Sequence, residues 1–185
     1  MRIARTWFRG ECTLECRGTL SERNPAPQMD ITRDGNVASV RVGNLWLVAS
    51  GWRPIADDAW REYLEASAAS VRADGPFDGV LFWAPLHGPS ARQRKMLTHE
   101  FAEAVRLDAQ RRVALISESA LVRGTITAIN WFARKNFVAF SPNDVRRAFE
   151  WLAADIAFDE TQAQRSLDEI VMAVRGSERK KGAVS

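Results

Sequence analysis

The sequence predicts an α/β domain built on a mixed sheet, antiparallel at one edge and parallel beyond it, with helices packed on it. Three observations lead there. Two hairpin-type dipeptides, Asp34-Gly35 and Gly43-Asn44, separate apolar runs early in the regular part of the chain. Beyond them, short apolar runs alternate with amphipathic stretches of helix length, and strands joined by such crossovers run parallel. The 185 residues, 46% of them hydrophobic and seven of them Trp, suffice for one substantial core and are too few for two ordinary domains.

Taken in order, residues 1–28 show no sustained period and close on Ser21-Glu-Arg-Asn-Pro-Ala-Pro-Gln28, so they read as a poorly ordered arm. The runs Val37 to Val42 and Leu45 to Ala49 form a β-meander around the two Gly turns. Asp57 is the expected cap of a helix in which Trp60, Leu64, Ala68 and Val71 recur on one face. Asp74-Gly-Pro76 stops it. Phe77 to Ala84, an apolar run between turn residues, fits a strand covered on both faces.

Ser90-Ala-Arg-Gln93 has capping-box spacing and opens a long helix with the stripe Leu97, Phe101, Ala104 and Val105. Arg111 to Ser117 is the next strand, Ala120 to Lys135 a helix, and Asn136 to Phe140 the last strand. Ser141 then suits an N-cap, Pro142 the first helical position and Asp144 the positive end of the helix dipole. Val145, Phe149, Leu152, Ala153 and Ile156 supply that helix's stripe. The domain is expected over residues 29–157. Leu167, Ile170, Val171 and Val174 mark an additional helix over 158–175, and 176–185 reads as a flexible basic tail.

The net charge of +3 resides at the ends. Residues 1–28 hold five Arg against three Glu, and 175–185 hold four basic residues against Glu178, which leaves 17 basic and 19 acidic groups in between. That distribution speaks against specific nucleic-acid binding. Cys12 and Cys16 stand without a second Cys or His pair, so no metal site is expected. No apolar run reaches membrane-spanning length, and the first residues lack a signal-peptide core, so the expected location is cytoplasmic.

The stretches Asp78-Gly-Val-Leu-Phe-Trp83, Arg111-Arg-Val-Ala-Leu-Ile-Ser117, Leu121-Val-Arg-Gly124 with Trp131-Phe132, and Phe140 followed by Ala148-Phe-Glu-Trp-Leu152 resemble the STAS/SpoIIAA-like domains. The resemblance spans roughly residues 29–154. It implies a non-enzymatic regulatory module that binds a protein partner, or alternatively a carrier or sensor of a small apolar ligand, with no cofactor. In the antagonist branch of that family, a serine at the start of a helix is phosphorylated in an Asp-Ser-Ser/Ala-Gly type sequence. Ser90 holds the similar place, within Gly88-Pro-Ser-Ala-Arg92, where the preceding Asp and the following Gly are missing.

Ser90 is thus the candidate phosphorylation point, with Arg92 and Arg94 near enough in sequence to pair with a phosphate. The bland reading is a helix cap contributing about 1 kcal/mol. His87 lies in the Pro-flanked loop after a central strand, where open sheets place ligands, yet a lone loop His is more often uncommitted. Trp52, in a turn beside Gly51, is a candidate for a binding surface. In Leu121 to Phe132 the helical period buries Val122, Thr125, Ile126, Ile129 and Phe132, and leaves a boundary seam at Arg123, Gly124 and Trp131. A Gly inside a helix costs roughly 1 kcal/mol against Ala, so close approach of a neighbour or ligand is the expected motive for Gly124. Asp57-Asp58 reads as a helix start, His99 as a solvated position. No nucleophile–base spacing, HExxH or phosphate-binding Gly loop appears, so an enzyme is not expected.

Overall fold

The computed structural model describes residues 28–100, 112–124 and 136–182. Three antiparallel strands come first: β1 (Met29–Ile31), β2 (Val37–Val42) and β3 (Leu45–Ser50). Gly35 and Gly43 turn the chain at φ 66° and 56°, left-handed values that a side chain with a Cβ disfavours. Asp34 shapes the first turn by accepting from the Asn36 amide at 2.9 Å and the Thr32 hydroxyl at 2.8 Å. Helix α1 (Asp57–Asp74) crosses to β4 (Gly79–Trp83), which pairs in parallel with β3. Next come α2 (Ala91–Lys95), a π-helical turn (Met96–Glu100), β5 (Arg112–Ile116), β6 (Phe137–Phe140), a 3-10 turn (Pro142–Asp144), α3 (Val145–Ala153) and α4 (Glu160–Gly182). The sheet has six strands in the order β1-β2-β3-β4-β5-β6, parallel from β3 onward, the mixed sheet that the turn and crossover pattern predicts.

Alternation along the strands divides the core into two. On one face Val37, Trp46, Val48 and Phe82 meet Trp60, Tyr63, Leu64 and Val71 of α1, and Met96. On the other, Val40, Val42, Leu45, Leu47, Leu81 and Ile116 meet Phe149 and Leu152 of α3 and Leu167, Ile170 and Val174 of α4. Each such side chain contributes roughly 1.5–3 kcal/mol on burial, so the double cover of β3 and β4 dominates stability. Gly79 lets α3's trailing chain approach: a Cβ there would stand 2.3 Å from the Ile156 side chain.

Several boundaries differ from those read in the sequence. Ala56, with no side-chain cap, precedes α1, and Asp57 is its first residue, because the Asp57 carboxylate is drawn sideways to Arg92 and Gln93 instead of to its own helix. The α-helical stretch that Ser90 opens gives way at Met96 to a π turn, which holds an extra residue and makes Gln93 and Met96 the buried positions there, with Leu97 partly buried. Ser141 donates to the Asp144 carboxylate at 2.6 Å instead of accepting a backbone N–H, and the first turn tightens to 3-10. The last helix does not fray at Arg175 but continues to Gly182; the Ser177 hydroxyl donates to the Gly35 carbonyl and ties this extension to the β1–β2 turn. Cys12, Cys16, Phe101, Ala104, Val105 and residues 125–135, Trp131 among them, lie outside the described residues.

Candidate functional site at the carboxyl edge of the parallel strands

Because β3 to β6 are parallel, their carboxyl ends emerge on one edge, and loops carrying most of the candidate residues meet there. Hydrogen bonds join these loops. The Ser50 hydroxyl donates to the Trp83 carbonyl (3.3 Å), the Ala84 amide to Ile116 (2.8 Å), the Glu118 amide to Pro85 (3.0 Å) and the Ser117 amide to Phe140 (3.1 Å). The Ser117 hydroxyl also reaches the Pro85 carbonyl (3.3 Å). In open α/β sheets a crevice forms where the strand order reverses. From β3 to β6 the order runs without reversal, so the topology itself opens no crevice at this edge.

Ser90 and Gln93 make the full capping box: the Gln93 amide donates to the Ser90 hydroxyl (3.2 Å), and the Ser90 amide donates to the Gln93 side-chain carbonyl (2.8 Å). Gln93 does more than cap. It is only 2% exposed, and its Nε2 donates to the Ile55 carbonyl (2.6 Å) and to Asp57 (3.2 Å), while its backbone carbonyl accepts from the Trp60 indole (2.9 Å). Arg92 adds an ion pair to Asp57 at 3.2 Å. The start of α2 is thereby wired to the first turn of α1, with Gln93 as the hub. A glutamine one turn before the apolar Met96 and Leu97 was the available sequence signal for that role; its partners in the first turn of α1 and at Ile55 just before it, 33 to 38 residues away, were not visible.

The other candidates separate. Arg123, half-buried, donates to the carbonyls of Ser117 (2.6 Å) and Glu118 (2.9 Å) and so clamps the turn after β5. Arg94 donates to the Pro89 carbonyl at 2.7 Å. His87 is exposed in the β4–α2 loop, and Trp52 is half-buried in the β3–α1 turn. Gly124 ends the described helical segment 120–124, and among the described residues no heavy atom lies within 4 Å of where its Cβ would stand. Ser90, Arg92 and Asp57 are brought together, whereas Arg123 acts on its own strand end.

Two concavities lie elsewhere, on the α1 face beside β1. One, of about 450 Å³, is lined by Arg33, Asp34, Asp58, Glu62 and Glu65; the other, of about 110 Å³, by Asp30, Thr32, Ser39, Glu62 and Tyr63 among others. Burial holds the Asp30 carboxyl above its usual range and pushes the Tyr63 phenol up to about 12. Asp144, by contrast, is held low, first by the Ser141 hydroxyl and then by Arg147. Among the described residues no group of three His, Cys, Asp or Glu side chains is arranged to hold a metal ion, and no helix is long and apolar enough to cross a membrane.

The fold is an α/β mixed sheet with helices on both faces. Comparison with protein-family models, with curated proteins and with solved structures finds no match to this chain.

Proposed function

We propose that this chain is a cytoplasmic, STAS/SpoIIAA-like signalling module that binds a protein partner along the carboxyl edge, with phosphorylation of Ser90 altering the contact. The observation that carries the reading is the pairing of exposed leucines with Ser90 on adjoining segments of that edge. Leu86 is 43% exposed beside Pro85, and Leu121 is 81% exposed just beyond Glu118, whose amide is bonded to Pro85. Large apolar side chains exposed on adjoining segments favour recognition of another protein. The two concavities carry carboxylates in their walls and lend nothing specific to an apolar ligand.

Ser90 is exposed, and its hydroxyl holds the Gln93 amide. A phosphate there adds about −1.5 to −2 charges and competes with Asp57 for Arg92. Modification would weaken the link from α2 to α1 and shift the loop that carries Leu86 and His87. Cross-linking mass spectrometry on native lysate tests this, using wild type, Ser90→Ala, Ser90→Asp and Leu121→Asp. A partner cross-linked at residues 85–90 and 118–124 should be lost with Leu121→Asp and changed by Ser90→Asp relative to Ser90→Ala. Identical cross-links for wild type and Leu121→Asp refute the surface, and identical behaviour of the two Ser90 variants refutes the switch.

A further inference from the structure

The last helix changes character part-way along. Up to Val174, α4 is held on the sheet by Ala163, Leu167, Ile170, Val171 and Val174, all buried. That stripe then stops. The positions three, four and seven residues after Val174, which would continue it, are Ser177, Glu178 and Lys181, none of them apolar. Gly176, a weak helix former, falls at the same point, and among the described residues no heavy atom lies within 4 Å of where its Cβ would stand. The helix nevertheless runs on to Gly182.

The described tie between this extension and the rest of the domain is polar. Ser177 is half-buried against Gly35 of the β1–β2 turn, and its hydroxyl reaches both the Gly35 carbonyl and, at 2.8 Å, the Val174 carbonyl of its own helix. A serine hydroxyl has one proton to donate, so turning it fully to one carbonyl gives up the other. Bonded to Val174, the hydroxyl is satisfied within α4, as serines in helices commonly are, and the Gly35 carbonyl, in a partly exposed turn, is left to water. Neither arrangement strands a buried donor. The approach is also close: a Cβ on Gly35 would stand 2.7 Å from the Ser177 Cβ, so the left-handed glycine that shapes the turn makes room for the helix as well.

A segment without an apolar stripe, attached through a hydroxyl that has a second acceptor at hand, opens at low cost while the packed part of its helix stays in place. We propose that residues 175–182 are a strap that closes on the β1–β2 turn when Ser177 donates to Gly35, and lifts when that hydroxyl rotates back to Val174. Strap and turn then open and close together, and the packed part of α4 takes no part.

Hydrogen exchange of the full chain, read by mass spectrometry for wild type, Ser177→Ala and Gly176→Ala, tests this. In wild type the amides of 175–182 should exchange faster than those of 163–174. Ser177→Ala should speed exchange about fivefold over 175–182 and over the turn at 32–37, through loss of one hydrogen bond, and leave 163–174 unchanged. A helix end without a latch responds in the opposite sense, because alanine is a better helix former than serine. Gly176→Ala favours the closed helix and should slow exchange in both segments, which makes the turn's response a readout of the latch and not of helix propensity. Three results overturn the proposal: unchanged or slower exchange over 175–182 in Ser177→Ala, a turn that responds to neither variant, or exchange over 163–174 that moves together with 175–182.

Discussion

The two faces of the sheet are built from different chemistry. Under α3 and α4 the core is mainly aliphatic, with Val40, Val42, Leu45, Leu47 and Leu81 against Leu152, Leu167 and Ile170. Under α1 and α2 it is aromatic and polar. Trp46 stacks on Phe77 at 5.6 Å, Trp60 packs on Tyr63 at 5.1 Å and on Phe82 at 6.3 Å, and Gln93 sits among them with its side-chain amide bonded. Aliphatic packing is non-directional and has no group whose bonding depends on charge. The aromatic face includes groups whose bonding depends on a neighbour's charge, such as Asp57 beside Arg92, and the proposed Ser90 surface adjoins it. The difference separates a scaffold face from a responsive one.

The sharpest break in that comparison is expected on the aliphatic side. Leu167→Ala removes a buried contact of α4 with β2 and β3 and should cost about 2–5 kcal/mol in urea unfolding, with little change at the α1 face. On the other face, Tyr63 is the only tyrosine in the chain, so ultraviolet tyrosinate absorbance reads it alone. Its phenol rises from 10.0 to about 12 on folding. The unfolded chain therefore ionises first: this contribution is whole below pH 10 and is lost as the pH rises through about 12. Two pH units correspond to about 2–3 kcal/mol, and Tyr63→Phe should flatten the stability decline over that window. Gln93→Ala is the smallest of the three. It strands the Ile55 carbonyl and opens the capping box, for about 1–2 kcal/mol, and should shift the Trp60 indole N–H resonance in NMR spectra because the strap from α2 to α1 loosens. An unchanged Trp60 indole resonance would deny Gln93 its role as a hub.

Much of the fold was legible because it follows from local period and turn chemistry. Gly35 and Gly43 adopt the backbone that their dipeptides imply, and β2, β3, β4 and β5 fall within a residue or two of the apolar runs. The Ser90–Gln93 box was legible for the same reason: both bonds close within four residues. Where a polar side chain had a distant alternative, the local rule failed. Asp57 left the cap position for Arg92 and Gln93, and Ser141 turned to Asp144. Asp30, Ser39 and Glu62 carried no motif at all, since they meet only through strand pairing and a helix laid across it.

Sequence alone determined the α/β class, the meander, the order of most helices and strands, and the capping box at Ser90, because these are set by interactions between residues a few positions apart. Tertiary structure decided that Arg123 is a clamp on its own strand end and that Gln93 joins two helices. It also decided that the two concavities described lie beside β1. Those outcomes depend on which distant groups meet once the sheet is paired and both faces are covered, and buried hydrogen-bonding groups take the best partner that the packed chain supplies.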